Sequence, residues 1–327
     1  MSRWLRDSLP VGLLLTACLI IGTMLAILIG TIVFNGIGRL SWDFLTGAPR
    51  EGMMAGGIFP AIFGTAALVL LMTIAGVPIG VITAIFLSEL TPRADARSLW
   101  RKMQAASHPR ERRQYRIEWV HALAASAIRA AVANLAGVPS IVFGLFGLGF
   151  FIHFVGGAID AAFYQGELTY RQPGILWAAL TMAALTLPVV IVTTDEALRA
   201  VPQELREASL ALGATRWQTI IHVVLPEALP GILTGTILAI SRGASEVAPV
   251  LFTGAAYFLP SLPTHLNDQF MHLGYHVFIL ATQSPDVEQA KPLLYGTVLV
   301  LLMLTCALNL VGILLRARVR YRLRERR

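Results

Sequence analysis

Charge is scarce in this chain. Asp, Glu, Lys and Arg make up 14% of its 327 residues, where a soluble domain carries about 25%. Cysteine is scarcer still. Cys18 and Cys306 are the only two, both within apolar runs, which excludes a disulfide framework or a cysteine metal cluster and leaves packing as their role. No Gly-Lys pair occurs. A Gly-x-x-x-x-Gly-Lys-Ser/Thr phosphate loop is therefore absent, and any use of ATP falls to another polypeptide. The pI is near 9.9, but no basic face studded with aromatic residues accompanies it, which argues against a nucleic-acid partner.

Long apolar runs are abundant, and the mean hydropathy is +0.67. A run of about 20 such residues crosses the ~30 Å hydrocarbon layer as a helix. Six spans are predicted, at Val11–Phe34, Pro60–Leu87, Asn134–Phe154, Gly174–Thr194, Leu229–Phe252 and Pro292–Leu315. The chain thus reads as an all-α membrane protein with a six-span domain over 11–315. Residues 1–10 precede the domain and a basic tail, 316–327, follows it. The first run is too long for a signal-peptide core and reads as a retained span.

With this topology, 20 Lys and Arg residues fall on the side of the termini and 4 on the other. The asymmetry places both termini in the cytoplasm. Residues 92–118 form a charged cytoplasmic insertion, helical or partly disordered, with a solvated face. His121–Ala133 is Ala-rich and contains Arg129. It either lies at the membrane interface or extends the third span, with Arg129 reaching to the headgroups. Ala75-Gly76-Val77-Pro78 recurs as Ala136-Gly137-Val138-Pro139, and Gly76-x-x-x-Gly80 and Gly231-x-x-x-Gly235 offer small-residue faces for tight helix packing.

The least apolar connection that interrupts the later spans is 195–227. It holds three basic and five acidic residues, so positive-inside bias alone did not shape it. Pro202 starts a helix over Gln203–Leu212 that carries Leu205, Ala208 and Leu212 on one face. Gly213 ends it in a left-handed conformation, a second short helix runs from Thr215 towards Val224, and Pro226 opens the next element. The product is a helical hairpin with a small-residue face and an acidic rim.

The spacing within it resembles the EAA loop of ABC importer permeases: Glu-Ala-Ala, three residues, Gly, nine residues, Ile, one residue, Leu-Pro. Glu207, Ala208, Gly213, Leu225 and Pro226 match, while Ser209 replaces the second Ala and Val223 the Ile. Ser41–Thr46, Gly56–Ile62, Ala136–Gly144, Glu196–Pro202 and Ala248–Thr253 look like the phosphate-specific members of that family, the last favouring the PstA type. The resemblance implies a MetI-like type I importer fold in the bacterial inner membrane. It also implies coupling to a separate ATPase through Arg206, Glu207, Ala208, Ser209, Leu212, Gly213, Leu225 and Pro226, with ATP and Mg²⁺ held on that partner and no cofactor on this chain. The implied partners are a PstC-like permease, a PstB-like ATPase dimer and a PstS-like phosphate-binding protein.

The substrate path is expected at Arg242, Ser245 and Glu246 in the fifth span. A charge at mid-bilayer costs at least ~2.5–3.5 kcal/mol, so both charges are expected to face the bundle interior or a cavity. Arg242 and Glu246, four residues apart, either neutralise one another as a packing ion pair or serve an oxyanion. Arg242 offers bidentate donors. Glu246 can accept from the hydroxyl of hydrogen phosphate, which sulfate lacks, and a site built on that hydroxyl penalises its absence. Another oxyanion such as sulfate or molybdate, or a proton-coupled carrier with Glu246 as relay, are the rival readings. His265, Asp268, His272 and His276 follow this span. His272 and His276 have metal-ligand spacing, yet an amphipathic surface helix is the expectation there. Residues 254–290 carry Asp268, Asp286 and Glu288 without Lys or Arg and are a candidate surface for a solute-binding protein. Asp195 and Glu196 are expected to be solvated at the end of span four.

Overall fold

The computed structural model describes residues 3–50, 55–91, 96–106, 108–284 and 287–325. Pro92 and Arg93 of the expected insertion, Asp286, Arg326 and Arg327 lie outside them. Helices dominate: α1 Arg3–Gly36, α2 Trp42–Thr46, α3 Phe59–Ile85, α4 Ala96–Ala105, α5 Pro109–Ala136, α6 Ser140–Phe146, α7 Gly157–Phe163, α8 Ile175–Arg199, α9 Gln203–Ala211, α10 Arg216–Thr219, α11 Leu225–Ser245, α12 Ala248–Thr253, α13 Leu273–Thr282 and α14 Val287–Glu325. Wider π-helical turns extend α3 over Phe86–Leu90, join α6 to α7 over Gly147–Gly156, and join α10 to α11 over Ile220–Val224. Among the described residues the only sheet is a two-residue pairing of β1 Pro49–Arg50 with β2 Ala55–Gly56.

The core is organised on α8, the most buried of the long apolar helices. Both small-residue faces meet it. A methyl group on Gly76 of α3 would lie 3.3 Å from Ala183, and one on Gly80 would lie 2.6 Å from Val190 Cγ1. On the other side, Gly231 and Gly235 of α11 press against Ala197 and Thr193 of α8. Small residues let the backbones approach until dispersion contacts, rather than a hydrophobic drive that lipid cannot supply, hold the helices together. Around these contacts Leu68, Met72, Ala178, Met182, Phe143, Val250 and Phe270 fill one continuous cluster.

The two Ala-Gly-Val-Pro segments have different fates. The first stays within α3, with Pro78 inside the helix. The second breaks the chain between α5 and α6, where Gly137 and Val138 donate to the carbonyls of Asn134 and Leu135. The third span therefore does not begin at Asn134. Residues 134–136 finish α5 and the next helix starts at Ser140.

Seven helices are long and apolar enough to cross a membrane, one more than expected, and α5 is the addition. The C-terminal half of α5 meets α8 around Leu187 and Ile191. The helix over 140–163 meets α8 nearer its start, at Thr181 and Trp177. The two follow one another along α8 in the sense opposite to its own. The charged insertion is not simply a solvated face. α4 packs on α5, burying Leu99 and setting the Trp100 and Trp119 rings 5.2 Å apart.

The fifth span also differs. Residues 216–245 are one continuous helical stretch, so Pro226 lies within it and the second arm of the hairpin is the foot of the span. The stretch stops at Ser245 instead of running to Phe252, because Glu246 is extended (φ −78°, ψ 131°) and α12 starts anew with Pro249 in its first turn. Overpacking the α3–α8 seam tests this core. Gly80→Leu is predicted to destabilise the protein by about 1–3 kcal/mol, read as a lower unfolding temperature in detergent. Gly22→Leu, at a glycine with no neighbour within 4 Å, leaves that temperature unchanged.

Candidate functional site

The hairpin between α8 and α11 is built by local chemistry. Pro202 supplies the extended residue before α9 (φ −55°, ψ 139°). At the other end Gly213 adopts φ 87°, a conformation that costs glycine no Cβ clash. Its N–H donates to Leu210 and the N–H of Ala214 to Ser209, which satisfies carbonyls that a helix end leaves free. Thr215 then opens α10 with a reciprocal cap: its hydroxyl accepts from Gln218 N–H, and its own N–H donates to the Gln218 side chain. Ser209 and Thr219 join the two arms through their hydroxyls, 2.9 Å apart. The Ser that replaces the second Ala of the motif is thus a tie between arms.

The expected coupling residues separate into two groups. Glu207, Ala208, Leu212 and Gly213 are exposed, and Leu212 retains 90% of its accessible surface. Leu205 and Trp217 of the same hairpin are also exposed, as is the carboxylate-bearing Glu204. Leu225 and Pro226 belong to the root instead. Leu225 packs with Ala84, Leu198, Val201, Val224 and Ala228. Arg206 also turns inward, onto Glu89 of the α3 extension and the carbonyls of Leu198 and Val201.

In the fifth span, Arg242 Nε lies 3.3 Å from Glu246 Oε1. Arg242 occupies the last turn of α11, where a cation faces the negative end of the helix dipole. The Ser245 hydroxyl donates to Ser241 and Arg242 carbonyls, and Asn309 of α14 donates to Ser241 Oγ. The charges do not face the interior of this chain. Arg242 and Glu246 side chains are 41% and 23% exposed, Ser245 and Leu238 are exposed on the same side, and none of these residues lines either of the two main cavities. Near this end of α11 the buried positions are Ala239, Gly243 and Ala244, with Gly243 against Met72 of α3.

The histidines also depart from expectation. His272 and His276 are buried, not on a surface helix. His272 Nδ1 accepts from Tyr275 N–H at the start of α13, while its Nε2 and both ring nitrogens of His276 have no protein partner. Asp268 does not join them. Its carboxylate accepts from the N–H groups of His265 and Thr264 and from the Thr264 hydroxyl, and those donors hold it below the usual carboxylate range. Among the described residues no group of three or more His, Cys, Asp or Glu side chains is placed to hold a metal. At the end of span four, Asp195 pairs with Arg199 at 2.9 Å.

Several important residues were not singled out from sequence. Asp160 of α7 is buried and accepts from the N–H groups of Thr169, Tyr170 and Arg171, which closes the loop leading to α8. An acid near the end of an apolar helix was the available signal. Glu89 and Asn309 carry the same kind of signal, as isolated polar residues at or within apolar helices.

The sequence matches a family model over residues 123–325, described as the binding-protein-dependent transport system inner membrane component. The chain belongs to this family. It is an importer permease, the inner-membrane component of a binding-protein-dependent transport system. Among its relatives, a probable ABC transporter permease protein of Bacillus subtilis, YqgI, is 29% identical, covering 88% of each chain. The phosphate transport system permease protein PstA of Xylella fastidiosa is 30% identical, covering 72% of this chain and 71% of that one. PstA 1 of Mycobacterium tuberculosis is 28% identical, covering 97% and 90%. A chain of a bacterial alginate ABC transporter superposes with a TM-score of 0.61 at 14% identity, covering 94% of this permease and 93% of that chain. One from the inward-facing methionine transporter MetNI gives 0.52 at 19% identity, covering 79% and 94%. Both support the MetI-like fold of the permease.

Burial pushes His272 and His276 down to about 4 from an ordinary value of 6.5. Unfolding therefore takes up protons between pH 6.5 and about 4, and stability falls as pH drops through that window. Thermal unfolding of the solubilised permease is predicted to show this loss, and His276→Phe to flatten it.

Proposed function

We propose that this permease moves inorganic phosphate inward across the bacterial cytoplasmic membrane. The observation that carries the substrate is the run of relatives named as phosphate transport permeases, at 28–30% identity across most of the chain. The ionic face of α11 supplies chemistry that fits. An arginine at the bilayer centre costs at least ~2.5–3.5 kcal/mol, so a face bearing Arg242, Ser245 and Glu246 is suited to water, an anion or protein rather than lipid. A second permease, PstC-like, covers that face and makes the path lie between the two chains. Arg242 then presents planar donors to the phosphate oxygens, and Glu246 takes up the phosphate hydroxyl. Between transported ions the two side chains pair with each other.

The exposed surface of α9, with Glu207, Ala208 and Leu212, is the docking surface for a PstB-like ATPase dimer carrying ATP and Mg²⁺. It faces the cytoplasm together with both termini. A PstS-like protein delivers phosphate to the opposite side. ATP-driven closure of the ATPase pair displaces the hairpin, and the continuous helix from Arg216 to Ser245 carries that displacement to Arg242.

Reconstitution of the four components in proteoliposomes tests the proposal. Phosphate uptake is expected only with ATP and the binding protein, with Arg242→Gln at least about 100-fold slower, in keeping with the loss of a charge-assisted bidentate contact. Glu246→Gln is expected to narrow the preference for phosphate over sulfate. Uptake by this chain alone on a proton gradient would establish the secondary carrier instead, and equal uptake of sulfate by the parent complex would establish a general oxyanion importer.

A further inference from the structure

Arg206 is the one basic residue of the α9 segment, and nearly all of its side chain is withdrawn from the docking surface. Its Nη2 donates to Glu89 Oε1 at 2.7 Å and to Leu198 O at 2.7 Å. Its Nη1 donates to Val201 O at 2.6 Å and more weakly to Pro202 O at 3.4 Å, and its Nε reaches Glu89 Oε2 at 3.4 Å. The two side chains are only 13% and 12% exposed. Three elements therefore converge on one guanidinium: α9, which carries it; the end of α8 and the residues after it, to whose carbonyls it donates; and the π-helical end of α3, which supplies Glu89.

The ends of α3 and α8 need such a partner. A helix C-terminus leaves four carbonyls without intrahelical donors and concentrates partial negative charge. Arg129 of α5 donates to Leu87 O at 2.9 Å, and the Thr91 hydroxyl to Phe86 O, so the α3 end is held from two sides. A planar, permanently charged fork satisfies several such acceptors at once, which an ammonium does not. Removing either member leaves the other nearly buried and unpaired, which is costly.

We propose that Arg206 is a positioning residue, and that the Arg206–Glu89 pair is the joint that makes α9 and the ends of α3 and α8 a single rigid body. Without it Pro202 is free to act as a hinge, and a push on α9 is absorbed there. With it, the same push moves α3 and α8, while the Ser209–Thr219 tie and the continuous second arm pass it to α11. The inference rests on the reading that α9 meets the ATPase.

Spin labels at Ala211 in the hairpin and Ile82 on α3, both exposed, test the joint in the assembled complex in nanodiscs, with Cys18 and Cys306 replaced. The parent is expected to give one narrow distance distribution that is unchanged by ATP. Glu89→Ala and Arg206→Ala should each broaden it, and the double variant should be no broader than either single one, because the pair acts as one unit. Arg206→Lys and Glu89→Gln should fall between. Transport per ATP hydrolysed should drop about tenfold in the alanine variants, with the ATPase still copurifying. Unchanged distributions in both alanine variants would overturn the joint. So would loss of the ATPase with Arg206→Ala but not with Glu89→Ala, which would make Arg206 a docking contact. Failure of the ATPase to bind the parent permease would defeat the coupling reading alone, since the narrow distribution can be read on the permease without ATPase or nucleotide.

Discussion

The rest of the structure depends on how closely α3 and α11 approach α8. Four glycines make that approach possible, Gly76 and Gly80 on one side of α8 and Gly231 and Gly235 on the other. In lipid there is no hydrophobic gain in pressing one apolar helix on another, so contact distance and shape carry the association.

The second theme is the treatment of helix ends. The ends of these helices are met by specific local groups. Thr215 and Gln218 cap the start of α10, Gly213 lets the chain leave α9, and Arg206 and Arg129 serve the ends of α8 and α3. Asp160 serves the loop before α8 in the same way, with three backbone N–H groups on one carboxylate. These contacts fix the chain at both ends of α8, while Glu207, Ala208 and Leu212 stay exposed.

Much of this was legible in the sequence, where the determining signals were local or periodic. Pro202 and Gly213 bracket α9 to within a residue, and the glycine pairs found their helix because spacing of four defines a face. The fates of the two Ala-Gly-Val-Pro segments were not legible, since identical residues continue a helix when packed on α8 and break it at 137–139. The break at Glu246 has one local sign, Pro249, which suits the first turn of a helix, while the apolar run through Phe252 suggests continuity. The exposure of Arg242 depends on the packing around the end of α11, and the Arg206–Glu89 pair joins residues 117 apart. Neither follows from any local pattern.

The central claim is that the face of α11 holding Arg242, Ser245 and Glu246 lines a water-filled path whose opening is switched by the hairpin. Cysteine accessibility at position 245 in the assembled transporter tests it most directly, with Cys18 and Cys306 changed to Ser. A membrane-impermeant thiol reagent is predicted to modify Ser245→Cys from one side of the membrane without nucleotide and from the other with ATP, and phosphate is predicted to slow both reactions. A cysteine there that no water-soluble reagent reaches from either side, in either state, would contradict the account.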